Sequence, residues 1–198
     1  MSDRRTAILD AALHVLAEQG MRGLTHRAVD AAAGIPPGST SYYFRSRSAL
    51  VAGCVERLLE IDMRVDLPQV RSAATDVAGL AAALASVCVA MVTRERYRTL
   101  ARYELTLAAV RDDHLRAELQ RGGDTIRRLT ADLVRPLGAT EPDRSADELA
   151  ATLDGLILTA LVRGQQDEPA LTAWLRTALE RALRAQPGVG LRRSSPGG

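Results

Sequence analysis

The chain is 198 residues long and 46% hydrophobic, enough apolar material for one large or two small packed domains, which excludes disorder over most of its length. Aromatic residues make up only 3%, and alanine and leucine far outnumber valine and isoleucine, so an all-α fold is expected. The net charge of +2 is uneven: between Gln19 and Arg47, Arg22, Arg27, Arg45 and Arg47 face Asp30 alone, a modest footprint for a polyanion.

In chain order, Ile8, Leu9, Ala12, Val15 and Leu16 recur on one face and predict a first helix from Asp3 to Glu18, stopped by Gly20. Thr25 stands at an N-cap position ahead of a two-turn helix that Gly34 ends. Pro36 and Pro37 force a sharp turn, and Pro37 is placed to open a third helix through Gly38, Ser39, Thr40, Ser41, Tyr42, Tyr43 and Phe44. Two short helices joined by a tight turn make a helix-turn-helix candidate. Ser46 is the expected cap of a long fourth helix, Ala49 to Val65, ended by Pro68. Five more helices are predicted at Val77–Val92, Glu95–Arg111, His114–Arg135, Glu148–Arg163 and Pro169–Arg184. The expected division is a DNA-binding domain at 1–48, an effector-binding and dimerisation domain at 49–185, and a disordered tail rich in Pro, Gly and Ser at 186–198.

Several function classes recede on chemistry. Cys54 and Cys88 lie in apolar stretches, as buried hydrophobes of a reducing compartment do. His14, His26 and His114 have no zinc-type spacing, and no nucleophile elbow, P-loop or dinucleotide fingerprint occurs, so neither catalysis, a metal nor a cofactor is expected. The opening residues lack the apolar core of a signal peptide. The longest uncharged run, Val77–Thr93, falls short of the roughly 20 residues of a membrane span. No membrane partner and a cytoplasmic location are therefore expected.

The third helix concentrates the chemistry. Tyr42, Tyr43 and Phe44 are consecutive, behind the small hydroxyl residues Ser39, Thr40 and Ser41. Side chains a hundred degrees apart let Phe44 anchor the core while the tyrosines project, and the hydroxyls can approach a groove. Arg27, Arg45 and Arg47 can neutralise phosphates, and His26 adds a phosphate contact at the start of the second helix. The candidate DNA-binding set is Thr25, His26, Arg27, Pro37, Ser39, Thr40, Ser41, Tyr42, Tyr43, Arg45 and Arg47.

The run from Gly23 to Leu50 closely resembles the N-terminal signature of TetR-family transcriptional regulators, through Thr25, Arg27, Ala28, Val29, Ala33, Gly34, Ile35, Gly38, Tyr43, Phe44, Arg47 and Leu50. Thr40 and Ser41 depart from it, since the family usually has an aliphatic residue and then tyrosine there; the tyrosine's phosphate contact is then either lost or passed to Tyr42. The resemblance implies a homodimer that places two third helices in successive major grooves of a palindromic operator, with a small-molecule effector in the C-terminal domain; because the fourth helix runs without a break from Arg47 into the second block, effector binding is expected to move it as a lever and release the DNA. A repressor is expected; the alternative is a DNA-binding dimer without an effector.

The apolar stripes of the last two helices offer a dimer surface: Leu153, Leu156, Ile157, Ala160, Leu161 and Gly164, with Leu171, Trp174, Leu175, Ala178, Leu179 and Ala182. The rival reading buries them within one subunit. Polar or soft residues interrupting the central apolar faces, Cys88, Met91, Arg102, Tyr103, Glu104, Thr106, Thr125 and Thr159, are the candidate effector contacts, and the scarcity of rings favours an aliphatic effector. Glu104, if buried, needs a partner such as Arg102 or a cationic ligand group.

Overall fold

The computed structural model describes residues 2–164 and 167–190, with side chains from Arg4 onward. Among them every regular element is a helix: α1 (Ser2–Gly23), α2 (His26–Ala32), α3 (Ser39–Tyr43), α4 (Arg47–Ile61), a π-helical turn (Asp62–Asp66), α5 (Leu67–Ala73), α6 (Val77–Val92), α7 (Arg96–Ala109), α8 (Asp113–Val134), α9 (Pro142–Arg163) and α10 (Glu168–Arg184). No single helix is long and apolar enough to cross a membrane.

The chain separates into two compact units whose division differs from the expected break after Ser48. The first joins the residues up to Arg64 with Arg94–Gly123; the second joins Val65–Thr93 with the residues from Asp124 onward.

In the first unit, α1 packs on α2, α4 and α7. Ile8, Leu9, Ala12, Leu13 and Leu16 meet Phe44, Leu50, Cys54, Leu58, Ala101 and Leu105 in one core. Gly20 breaks the helical path where a stop is expected, with φ 66° and ψ −174°, and a short helical piece continues beyond the kink. The Glu104 carboxylate of α7 accepts the Met21 amide just beyond the kink at 2.9 Å, so helical geometry resumes as far as Gly23. Arg57 of α4 grips Asp10 of α1 through two bonds of 2.7 and 3.2 Å. Pro68, expected to end the fourth helix, instead sits in the first turn of α5, where a missing N–H leaves no helical bond unmade. The end of α4 is drawn into the π-helical turn, and Asp62 there accepts two bonds from Arg102, at 2.8 and 2.9 Å.

In the second unit, α6 lies along α10 and both contact α9. Leu171, Leu175, Leu179 and Leu183 of α10 are at most 4% exposed, as are Leu80, Ala81, Ala85 and Cys88 of α6. This corrects the predicted dimer stripe: Leu171, Leu175 and Leu179, together with Ile157 and Ala160 of α9, are buried within the subunit, so they have no surface left for a partner. Leu153, Leu156, Leu161, Trp174, Ala178 and Ala182 are half-buried, and Gly164 is exposed. Leu158 and Val162, one turn apart on α9 and outside the predicted stripe, are 50% and 79% exposed.

The tail was expected to be disordered from Gln186, but Gln186–Gly190 has a defined place; residues 191–198 lie outside the described residues. Thr140 donates its amide to the Pro187 carbonyl at 2.9 Å and Gly190 donates to Leu137 at 3.0 Å, while Gln186 and Val189 are buried. The crossing needs glycine on both sides, because a Cβ at Gly138 would stand 2.6 Å from the Gly188 oxygen. Burial pushes both thiols, Cys54 and Cys88, up to about 12, which keeps them protonated and unreactive.

Candidate nucleic-acid interface

The Thr25 hydroxyl accepts the Ala28 amide at 3.1 Å and starts α2. Its C-terminal end closes as the Ile35 amide donates to the Asp30 carbonyl at 3.0 Å, with Gly34 at φ 62°. The prolines then turn the chain. Pro37 does not open the third helix as expected; Gly38, at φ 90°, is its N-cap, and Ser39 is the first helical residue.

A carboxylate sets where α3 begins. Asp30, 4% exposed, accepts the Gly38 amide on Oδ2 at 2.7 Å and the Thr40 amide on Oδ1 at 2.8 Å. Burial alone would push its acidity down by raising the pKa, but the bonds from Thr40 and Gly38 outweigh this and hold the carboxyl below its ordinary value. A group depressed in the folded state contributes stability above its unfolded pKa and loses it as pH falls through the folded value. The wild type is therefore expected to lose stability below about pH 4 more steeply than Asp30→Asn, which is already weakened at pH 7. Urea melts at a series of pH values measure this, and parallel pH profiles would exclude it.

The other end of α3 is tied down as well. His26 Nε2 lies 2.7 Å from the Phe44 carbonyl oxygen. Phe44 enters the core against α4, where only glycine fits at position 53: a Cβ there would meet Phe44 Cε1 at 2.8 Å and Leu9 Cδ2 at 2.9 Å. The Ser46 hydroxyl caps α4 by accepting from Ala49 at 3.1 Å.

The predicted DNA-binding residues divide three ways. Ser41, Arg27, Arg45 and Pro37 are exposed, and Tyr42 is 72% exposed. Tyr43 is half-buried, its ring edge-on to Tyr42 with centroids 5.2 Å apart. Thr25 is exposed, though its oxygen serves the cap, and Ser39 donates its hydroxyl to the Pro36 carbonyl at 2.6 Å. Three expectations are corrected. Thr40 is wholly buried and cannot read a base edge; it fills the core position at which the resembling family has an aliphatic residue. His26 spends Nε2 on Phe44 and is not placed as a phosphate contact. Arg47 donates to the Leu24 and Met21 carbonyls, closing the frayed end of α1, so its guanidinium is already engaged. Arg27 and Arg45 carry no ion pair or hydrogen bond among the described residues, and Arg22 is a third exposed cation of this kind. Asp30, which holds the start of α3, is a residue that the sequence leaves unassigned; its signal is its being the lone acid in a basic segment.

The candidate effector contacts fare differently. Arg102, Tyr103, Glu104 and Thr106 belong to the first unit, and Cys88, Met91, Thr125 and Thr159 to the second. Arg102 is paired with Asp62, and Glu104 binds the Met21 amide instead of Arg102 or a ligand. Thr106 faces solvent, and Cys88 is sealed in the core. Tyr103, Met91, Thr125 and Thr159 are half-buried. One concavity lies at the start of α10 and another, of about 160 Å³, is lined by Met21, Arg47, Ser48, Val51, Asp112, His114 and Glu118 among others; none of the eight candidates lines either.

Residues 8–54 match the model of bacterial regulatory proteins of the tetR family, and residues 75–185, more than half of the chain, match that of the tetracyclin repressor-like C-terminal domain. Among solved structures, the multidrug binding protein EbrR complexed with ethidium is 30% identical, over 88% of this chain and 98% of that one, with a TM-score of 0.63. A member of the TetR family from Streptomyces coelicolor A3 is 29% identical, over 88% and 97%, with a TM-score of 0.64. A transcriptional regulator from Rhodococcus sp. Rha1 is 23% identical, over 96% and 99%, with a TM-score of 0.72. No curated protein matches. A capped, two-helix reading head with an exposed tyrosine, followed by a helical C-terminal part that carries the family's own pattern, leaves one assignment: the chain belongs to the TetR family of DNA-binding transcriptional regulators.

Proposed function

We propose that the chain is a cytoplasmic repressor that binds a palindromic operator as a homodimer and releases it when a small molecule occupies the C-terminal part. The observation that carries the DNA half is the exposed face of α3: Ser41 and Tyr42 project into solvent from a helix whose remaining side chains are tied back, and unpaired Arg27 and Arg45 flank it. Ser41 and Tyr42 would then read base edges, with Thr25 and Pro37 against the backbone. In this reading the segment through Ser48 does the reading and the later helices do the sensing and pairing.

Dimerisation falls to the outer face of α9, where Leu158 and Val162 stand uncovered, helped by half-buried Trp174, over whose ring Arg163 lies 5.7 Å from the centroid. The effector half is supported by the matched C-terminal family and by the EbrR complexes with ethidium, imidazole and proflavin. An aliphatic effector is favoured here, because rings beyond Phe44 are few and committed: Tyr97 stacks on His14 at 4.0 Å, and Trp174 lies under Arg163. Binding, not turnover, is the chemistry these groups support.

Operator selection from random duplexes, followed by titration at several salt concentrations, tests the DNA half. Arg27→Ala and Arg45→Ala should each lower the magnitude of the slope of log K against log salt by about 1, whereas Arg47→Ala should lower thermal stability and leave the slope unchanged. Equal slopes for all four proteins would show that these arginines do not meet phosphate. A thermal-shift screen with ethidium and with medium-chain aliphatic acids and amines tests the other half: a true effector stabilises the free protein and weakens operator binding by the linked factor.

A further inference from the structure

A five-residue helix cannot hold itself in water, since the bonds it makes do not offset the cost of nucleating it. What fixes α3 must lie outside it, and beside the burial of Thr40 and Phe44 two side chains of a single neighbour, α2, bond to its ends. We propose that Asp30 and His26, one turn apart on α2, are positioning residues for DNA recognition that clamp opposite ends of α3 and set the angle at which Ser41 and Tyr42 meet the bases. The proposal rests on the DNA-binding reading above.

At the N-terminal end, the Gly38 and Thr40 amides go to different oxygens of Asp30. Only a carboxylate offers two acceptor oxygens; the amide of asparagine would turn an N–H against one of the two donors. The buried anion is held by these amides and does not itself reach DNA. At the C-terminal end, the Phe44 oxygen can only accept, so His26 Nε2 must carry a hydrogen. Both the neutral Nε2–H ring and the imidazolium meet that requirement. The clamp therefore holds across the physiological pH range, and it is a preset of the reading head, not a switch. Phe44, pinned in the core beside Gly53, makes the C-terminal anchor rigid. Without the clamp, α3 would have to order itself on each encounter with DNA, and that cost would come out of affinity and discrimination.

The test compares wild type with Asp30→Asn, His26→Ala and His26→Gln, whose side-chain amide can place a donor near the Nε2 position. Asp30→Asn and His26→Ala should bind the selected operator about tenfold or more weakly, with a smaller ratio of operator to scrambled-duplex affinity and an unchanged salt slope; His26→Gln should recover most of both. Exchange of the Gly38 and Thr40 amides with deuterium, followed by NMR without DNA, should be at least about tenfold faster in Asp30→Asn. Wild-type affinity and selectivity in both loss variants, unchanged amide exchange, or a His26→Gln variant as weak as His26→Ala would overturn the proposal. A slope reduced by about 1 in His26→Ala would return His26 to the phosphate. If Asp30→Asn does not fold, the two His26 variants decide the matter. A wild type that bound no duplex would sink the DNA reading, and amide exchange would still settle the clamp.

Discussion

Replacing Val162 by arginine should convert the proposed dimer to monomers and weaken operator binding by roughly a hundredfold or more, because a second recognition helix would no longer be delivered to a palindromic operator at high effective concentration. Val162 is 79% exposed, and Leu158, a turn earlier on the same helix, is 50% exposed. Two large aliphatic side chains a turn apart and left to water on one face of α9 are costly unless something covers them. Light scattering of Val162→Arg at micromolar concentration gives the mass directly, and operator titration gives the affinity. The subunit itself should fold as before, since nothing in its core touches the substituted group's exposed surface. A dimer that survived both Val162→Arg and Leu158→Arg would move the contact elsewhere.

The second large effect separates core from interface on α10. Leu175 is 0% exposed in the single chain, on the helix that packs on α6 and α9, so Leu175→Ala should destabilise the subunit by about 2–5 kcal/mol. That is a large share of the roughly 5–15 kcal/mol by which domains of this size are stable. Urea denaturation should show the loss at every protein concentration. If Leu175 instead faced a partner, the loss would shrink on dilution, as a term in the association equilibrium does. Trp174, its half-buried neighbour, should show the concentration-dependent pattern when changed to alanine, because much of its ring is still available to a second subunit.

These two stripes show where sequence reading works and where it stops. Periodicity in α10 correctly marks an apolar face through Leu171, Leu175 and Leu179, but it is blind to what covers that face; here α6 does. The reading head was legible because its punctuation is local: Thr25 caps three residues ahead, Gly34 and the prolines end and turn, and Ser46 caps again. The contacts that give the head its shape are not local. Asp30 meets Thr40 ten residues on, His26 meets Phe44 eighteen on, and Arg47 reaches back to Leu24 across twenty-three. No spacing rule encodes these, so Thr40, His26 and Arg47 read as DNA ligands from their places in and beside the predicted helix-turn-helix. The same holds for Glu104, whose partner is the amide freed by the Gly20 kink eighty-three residues away. Proline at position 68 is ambiguous in the sequence because it ends one helix and begins the next with equal ease.

The burial of Thr40 beside the exposure of Ser41 and Tyr42 has an evolutionary corollary. The residues that support the fold and those that, in the proposed reading, face the double helix are neighbours in one short segment. Exchanging Ser41 disturbs no core packing, and exchanging Tyr42 gives up only its edge-on contact with Tyr43, so on the proposed reading operator preference can change by one or two substitutions at little cost in folding free energy.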